Sequence, residues 1–181
     1  MSRIQPVDPA AAPEPVREAL ARLPDLNIFK TLAHAETAFR PFLRFGGAVL
    51  GQLELDPKLR ELAILQVAHD AEAEYEWVQH VAIAGALGVP DEQIDAVERG
   101  DLDAFGDPER AVLELAAAVV AGPRIPDELF ERLRAHFDER RIVELLLTVG
   151  DYLMLARVMT VLEIDLDEPA GSGVIDTAQR S

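Results

Sequence analysis

The chain contains no cysteine. That absence removes disulfides, thiolate nucleophiles, cysteine-based zinc sites and any thiol redox relay together. Basic residues are scarce: 17 Lys and Arg stand against 33 Asp and Glu, a formal charge of −16 over 181 residues. So acidic a surface repels phosphate backbones and anionic lipid headgroups, which excludes nucleic acid and membrane surfaces as expected partners. Long uninterrupted apolar runs are missing too. AVLELAAAVVAG is broken by Glu114 and LLLTVGDYLMLA by Asp151, and both read as too short to span a bilayer. The opening MSRIQPVDPAAAPEP has no apolar core after Arg3 and therefore no secretory signal, so a soluble cytoplasmic protein is expected. No segment alternates apolar and polar residues with β-branched enrichment, which argues against a sheet.

What is present is helical periodicity. The dipeptides Asp56-Pro57, Pro90-Asp91, Asp107-Pro108 and Pro126-Asp127 mark helix starts, and Gly88, Gly100, Gly106 and Gly122 mark stops. The pattern predicts helices near 14–22, 27–35, 37–51, 57–69, 72–87, 91–99, 108–121, 126–136 and 138–163. An all-α single domain over 15–166 follows, with an arm at 1–14 that orders against a partner surface and a tail at 167–181 that is flexible or strand-like. The helices at 57–69 and 72–87 should form an antiparallel hairpin. RELAILQVAHD and RIVELLLTVGDYLMLARVMTVL are apolar nearly all round, the latter interrupted only by Glu144, Asp151 and Arg157. A helix of that kind must be buried on nearly all sides, and subunit contacts are expected to supply part of the cover, hence a homo-oligomer.

The stretch EAEYEWVQH, residues 72–80, concentrates the chemistry. On a helix, Glu72, Glu76 and His80 fall along one stripe. His80 can serve as an acid or base, and a carboxylate one turn away would orient its ring and stabilise the imidazolium. The plainer alternative is an exposed Glu76–His80 pair worth about 0.2–0.5 kcal/mol. Tyr75 and Trp77 flank the stripe as amphipathic walls for a partly dry cleft, or as packing residues in the case of Trp77. Glu61 sits inside the apolar run ELAILQVA, where a buried carboxylate needs a partner, and His80 on the next helix could supply it. For an anionic substrate, Arg44 and Arg60 are the cations nearest in sequence. A second reading makes Glu61, Glu76 and His80, with His69, a divalent metal site, although no dense motif such as HExxH is present. His34 and His136 read as capping or helix-terminal residues.

PKLRELAILQVA followed by AEYEWVQHVAIAGALGVPDEQIDAV resembles the core of the carboxymuconolactone decarboxylase family, which includes the alkyl hydroperoxidase D-like proteins; RIVELLLTVGDYLMLARVMTVL resembles its long closing helix. In the thiol-peroxidase branch a glutamate is followed after eleven residues by Cys-x-x-Cys and, three residues on, by a histidine. Laid on this chain, the glutamate is Glu61 and the histidine His80, while the cysteine positions hold Ala73 and Glu76. The resemblance implies an all-helical fold assembling as trimers or hexamers. With both thiols gone it implies the decarboxylase-like branch: acid–base decarboxylation or isomerisation of a small organic acid or lactone, without a cofactor, on His80, Glu61 and Glu76. The remaining alternatives are a peroxidase-like oxidoreductase lacking its thiol pair and a non-catalytic binding or assembly module.

Overall fold

The helix starts lie where proline and aspartate place them. In a computed structural model, which describes residues 1–171 together with Gly173 and Val174, the side chain of Asp56 accepts from the backbone N–H groups of Lys58 and Leu59 and opens the helix Pro57–Asp70. This uses the side-chain oxygen to satisfy amides that have no partner inside the helix. The described elements are α1 (Glu14–Leu20), α2 (Asn27–Leu32), α3 (Glu36–Gly51), α4 (Pro57–Asp70), α5 (Glu74–Ala86), α6 (Asp91–Arg99), α7 (Asp107–Ala121), α8 (Asp127–His136) and α9 (Glu139–Leu162), with one 3₁₀ turn at Leu102–Ala104. There is no strand among the described residues.

Left-handed residues end α4, α5, α6 and α9. Gly88 and Gly100 adopt φ of 82° and 65°, and the amide of the following residue bonds back to the carbonyls of Ala84 and Ala96. Only glycine enters this region without steric cost. The same turn closes α4 with a non-glycine, Glu72 at φ 54°, the Ala73 amide bonding to the Ala68 carbonyl. Gly106 does not stop a helix as the sequence suggests; it is the N-cap of α7. Gly122 follows α7 in extended rather than left-handed geometry.

α4 is the central rod. Every residue from Arg60 to Ala68 is buried, and α5, α6, α7 and α9 pack around it. The three residues between α4 and α5 turn the chain back into the expected hairpin. Each fully buried Leu, Ile or Val on α4 contributes about 1.5–3 kcal/mol relative to exposure. The cover on α4 comes from within the chain, so its all-round apolarity needs no second subunit. α9 differs. Leu145, Val149, Tyr152, Ala156 and Met159 face the core, whereas Val143, Leu146, Leu147, Met154 and Val161 are exposed on the other side. At 24 residues α9 is also long and apolar enough to cross a membrane, contrary to the sequence estimate, yet it carries the buried acids Glu144 and Asp151 along its packed side.

The arm at 1–14 does not wait for a partner. Its Ser2 is buried, the Ser2 amide and hydroxyl both donate to Asp165, the Arg3 amide donates to the Leu162 carbonyl and the Val7 amide to the Lys30 carbonyl. The expectation fails because the polar groups that satisfy this segment lie on the same chain, at the end of α9 and on α2. The described part of the tail forms no strand but runs back over α5, where Gln79 Nε2 donates to the Asp167 and Glu168 carbonyls and its Oε1 accepts from the Ala170 amide. The rest of the tail lies outside the described residues.

Candidate active site

Glu61 is fully buried on α4, and it is compensated on both oxygens. Oε1 accepts from Arg60 Nε at 3.0 Å and Nη2 at 2.9 Å, and Oε2 lies 2.7 Å from His80 Nδ1. The Arg60 guanidinium also donates to the Leu50 carbonyl at 2.6 Å. A carboxylate paired with arginine only accepts, so Nδ1 carries the proton and the opposite nitrogen, Nε2, is left for the cavity that His80 lines. The juxtaposition follows from the hairpin, which lays α5 along α4. Tyr152 of α9 closes the other side, its ring edge-on to the imidazole with centroids 4.8 Å apart.

The cavity beside His80 has a volume of about 590 Å³, within the range of about 300–1,000 Å³ usual for small-molecule sites. α3, α5 and α9 form three sides, and residues from α1, α2 and the link between them form the fourth. Glu76 and Asp151 both face it. Glu76 is buried and neither carboxyl oxygen has a hydrogen-bond partner; Asp151 Oδ1 is in the same condition. Burial, and then the charge of Asp151, push the Glu76 carboxyl well above the usual carboxylate range. Burial alone pushes Asp151 up to about 6. The Tyr152 hydroxyl is raised by burial first and then by the charges of Glu61, Asp151 and Glu76. The wall therefore holds an oriented imidazole and two buried carboxyls, Glu76 and Asp151, whose protonated forms are favoured by burial.

Set against the sequence, the structure unites Glu61, Glu76 and His80 but dissolves the three-residue stripe, because Glu72 lies in the turn before α5 and is exposed. Tyr75 lines the cavity and its hydroxyl donates to Asp167, while accepting a 3.4 Å contact from the Ile28 amide. Burial and Asp167 raise that phenol. Trp77 does not line the cavity; it packs half-buried against the core around Leu62 and Ala84, with its ring 6.3 Å from His69. Arg60 is no substrate cation either, since it is buried and spent on Glu61 and Leu50. Arg44 does line the cavity and is exposed.

Among the described residues no three His, Asp or Glu side chains converge as a ligand set, for Glu61 has both oxygens engaged and His69 is exposed against Asp70. Sequence reasoning missed Asp151, Tyr152, Arg40 and Arg22. The signal for Asp151 was available, an acid inside an apolar run, as it was for Glu61. Glu144 interrupts the same run but is satisfied structurally, accepting from the Leu55 amide and from Arg140.

Known proteins place this arrangement in context. YnjA of Escherichia coli strain K12 is 31% identical over 112 residues, 61% of this chain and 62% of its own length. YdfG of Bacillus subtilis strain 168 is 29% identical over 102 residues, 55% of this chain and 69% of its own. The chain thus spans less than two thirds of YnjA. The fold is shared with an alkylhydroperoxidase AhpD core protein of Ralstonia eutropha JMP134, at a TM-score of 0.80, 22% identity and coverage of 98% and 96% of the two chains. It is shared too with a cysteine-to-alanine variant of the debrominase Bmp8 in complex with 2,3,4-tribromopyrrole, at 0.76, 18% identity and coverage of 98% and 96%. Residues 36–122 match the carboxymuconolactone decarboxylase family model, a span that contains Glu61, Glu76 and His80. Over residues 36–122 the chain, which has no cysteine, thus matches the carboxymuconolactone decarboxylase family, and its fold is the one shared with the AhpD core protein.

Proposed function

We propose that the chain is an acid–base enzyme acting without a thiol on a small organic acid or lactone, by decarboxylation or isomerisation. One observation carries the reading: a buried carboxyl, Glu76, with no partner on either oxygen, faces the same cavity as an imidazole oriented by Glu61. An unpartnered buried polar group costs stability, and such costs are retained where a ligand supplies the partner. In decarboxylation the C–C bond to the carboxylate breaks, CO₂ leaves, and the electron pair stays on carbon as a carbanion or dienolate. Glu76, whose burial favours the protonated form, then delivers its proton to that carbon, while His80, with its proton on Nδ1 against Glu61, presents Nε2 as an acceptor. In isomerisation Asp151, ionised above about pH 6, accepts a proton from one carbon while Glu76 returns one to another.

The chemistry of the cysteine positions supports this branch over peroxide reduction. Ala73 packs against Ala71 and Ala156, and Glu76 is the only ionisable side chain of the two. Neither is a sulfur nucleophile. The test is a panel of lactone acids and unsaturated acids assayed for CO₂ release and for double-bond migration. His80→Gln and Glu76→Gln should each lower turnover by about 10²–10⁴-fold while the circular dichroism stays that of the parent. Unchanged turnover in both variants would refute the assignment, and a parent inert on the whole panel would favour the binding-module alternative.

A further inference from the structure

The cavity is not uniform from end to end. Its inner wall carries the buried acids Glu76 and Asp151. Its sides are apolar, built by Leu26, Phe29, Phe42, Leu43, Leu155 and Met159. Three exposed arginines also line it: Arg22 from the link between α1 and α2, and Arg40 and Arg44, one turn apart on α3. None of the three has an ion-pair or side-chain hydrogen-bond partner among the described residues. Glu18 is the single acid exposed at this rim. In a chain with 33 acidic and 17 basic residues, three unpaired guanidinium groups around one opening are a local reversal of sign.

From this gradient we infer that the cavity takes an amphipathic anion, a carboxylate with an apolar body of medium length, held anionic end outward on Arg22, Arg40 and Arg44 with its apolar body running in towards Glu76 and His80. The physical argument has three parts. A guanidinium presents a fixed fork of donors that matches a carboxylate, so the rim favours an anion over a neutral or cationic head. The apolar sides gain from burying hydrocarbon and offer nothing to a compact, doubly charged substrate. The inner end excludes a second charge of the same sign, because a ligand carboxylate there would face Asp151 across a dry wall. The reactive carbon therefore lies at the end remote from the anionic group, so of the two reactions proposed this pose serves isomerisation rather than loss of that carboxylate. Arg22 comes from outside the family-matched residues 36–122, whereas Arg40 and Arg44 lie within them.

The inference rests on the acid–base assignment for what happens at the inner end, but its test reads binding alone. Octanoate, octanol and octylammonium are titrated calorimetrically into the full chain, and the R22Q/R40Q/R44Q variant is run beside it. Octanoate should bind at least about tenfold more tightly than octanol, with affinity falling as salt is raised. Octylammonium should bind more weakly than both. The triple variant should bring octanoate down to the level of octanol and leave octanol itself unchanged; since all three side chains are exposed and unpaired, its melting temperature stays that of the parent. Equal affinity for octanoate and octanol, preference for octylammonium, absence of binding by all three, or an octanoate affinity indifferent to the triple substitution would each overturn the proposal. Glu76→Gln keeps octanoate binding while losing turnover, so a failure of the rim and a failure of the acid–base reading give different results.

Discussion

Glu76 offers the sharpest test of the reasoning, because the same side chain should weaken the fold and serve the site. Both of its oxygens are buried without a partner. A group in that condition costs about 1–3 kcal/mol of stability. Replacing it by methionine, similar in length and without polar atoms, should recover that amount. For a chain of this size the melting temperature should rise by about 2–12 °C. The pH dependence gives an independent sign. Burial raises Glu76 above its ordinary value of 4.5, and it raises Asp151 from 3.8 to about 6. Between the unfolded and folded values the native protein binds more protons than the unfolded chain, so stability is greatest at low pH and falls as pH rises through this window. For Asp151 the fall is on the order of 3 kcal/mol between its two values. Asp151→Asn should flatten that part of the profile, and Glu76→Met should remove the fall that Glu76 adds above its ordinary value. Both are read as differences from the parent, because carboxylates held low, such as Asp165 beside the Ser2 amide, slope the opposite way. Urea unfolding across the acid-to-neutral range measures all of this. A Glu76→Met variant less stable than the parent at neutral pH, or with an unaltered pH profile, would refute the account of Glu76 as an unsatisfied buried acid.

Other outcomes follow from neighbouring features. Arg60→Met leaves Glu61 buried with His80 as its sole partner and should cost about 3–5 kcal/mol in urea unfolding, far more than an exposed arginine would. Gly46→Leu keeps α3 helical but fills the cavity, since a Cβ there already stands 4.0 Å from Asp151 Oδ2 and Phe42 Cζ; octanoate binding should vanish in calorimetry while helical content holds. The exposed apolar face of α9 is expected to bury itself against a second copy, so the parent should sediment above the 19.8 kDa of one chain and Leu147→Glu with Met154→Glu should return it to that mass. A monomeric parent would remove the self-association expectation.

The helices were legible because their information is local. Asp56-Pro57 caps α4, Gly88 and Gly100 supply left-handed turns, and the apolar period marks the face of each helix without reference to anything distant. The Glu61–His80 contact was legible for a related reason: a carboxylate in ELAILQVA needs a partner, and the hairpin brings the next helix within reach. Burial on all sides of α4 was also readable, but not what provides it, since whether a neighbouring helix or a second subunit covers a face depends on packing. Only the tertiary structure decided which polar groups were already satisfied. Arg60 and Arg44 look alike as sequence, yet one is spent on Glu61 and the other stands free at the cavity. Glu144 and Asp151 interrupt the same helix, yet one meets the Leu55 amide and the other lines the cavity with Glu76, its Oδ1 without a hydrogen-bond partner. The periodicity of a helix tells which direction a side chain leaves the backbone; what it meets there is set by residues dozens of positions away in the chain.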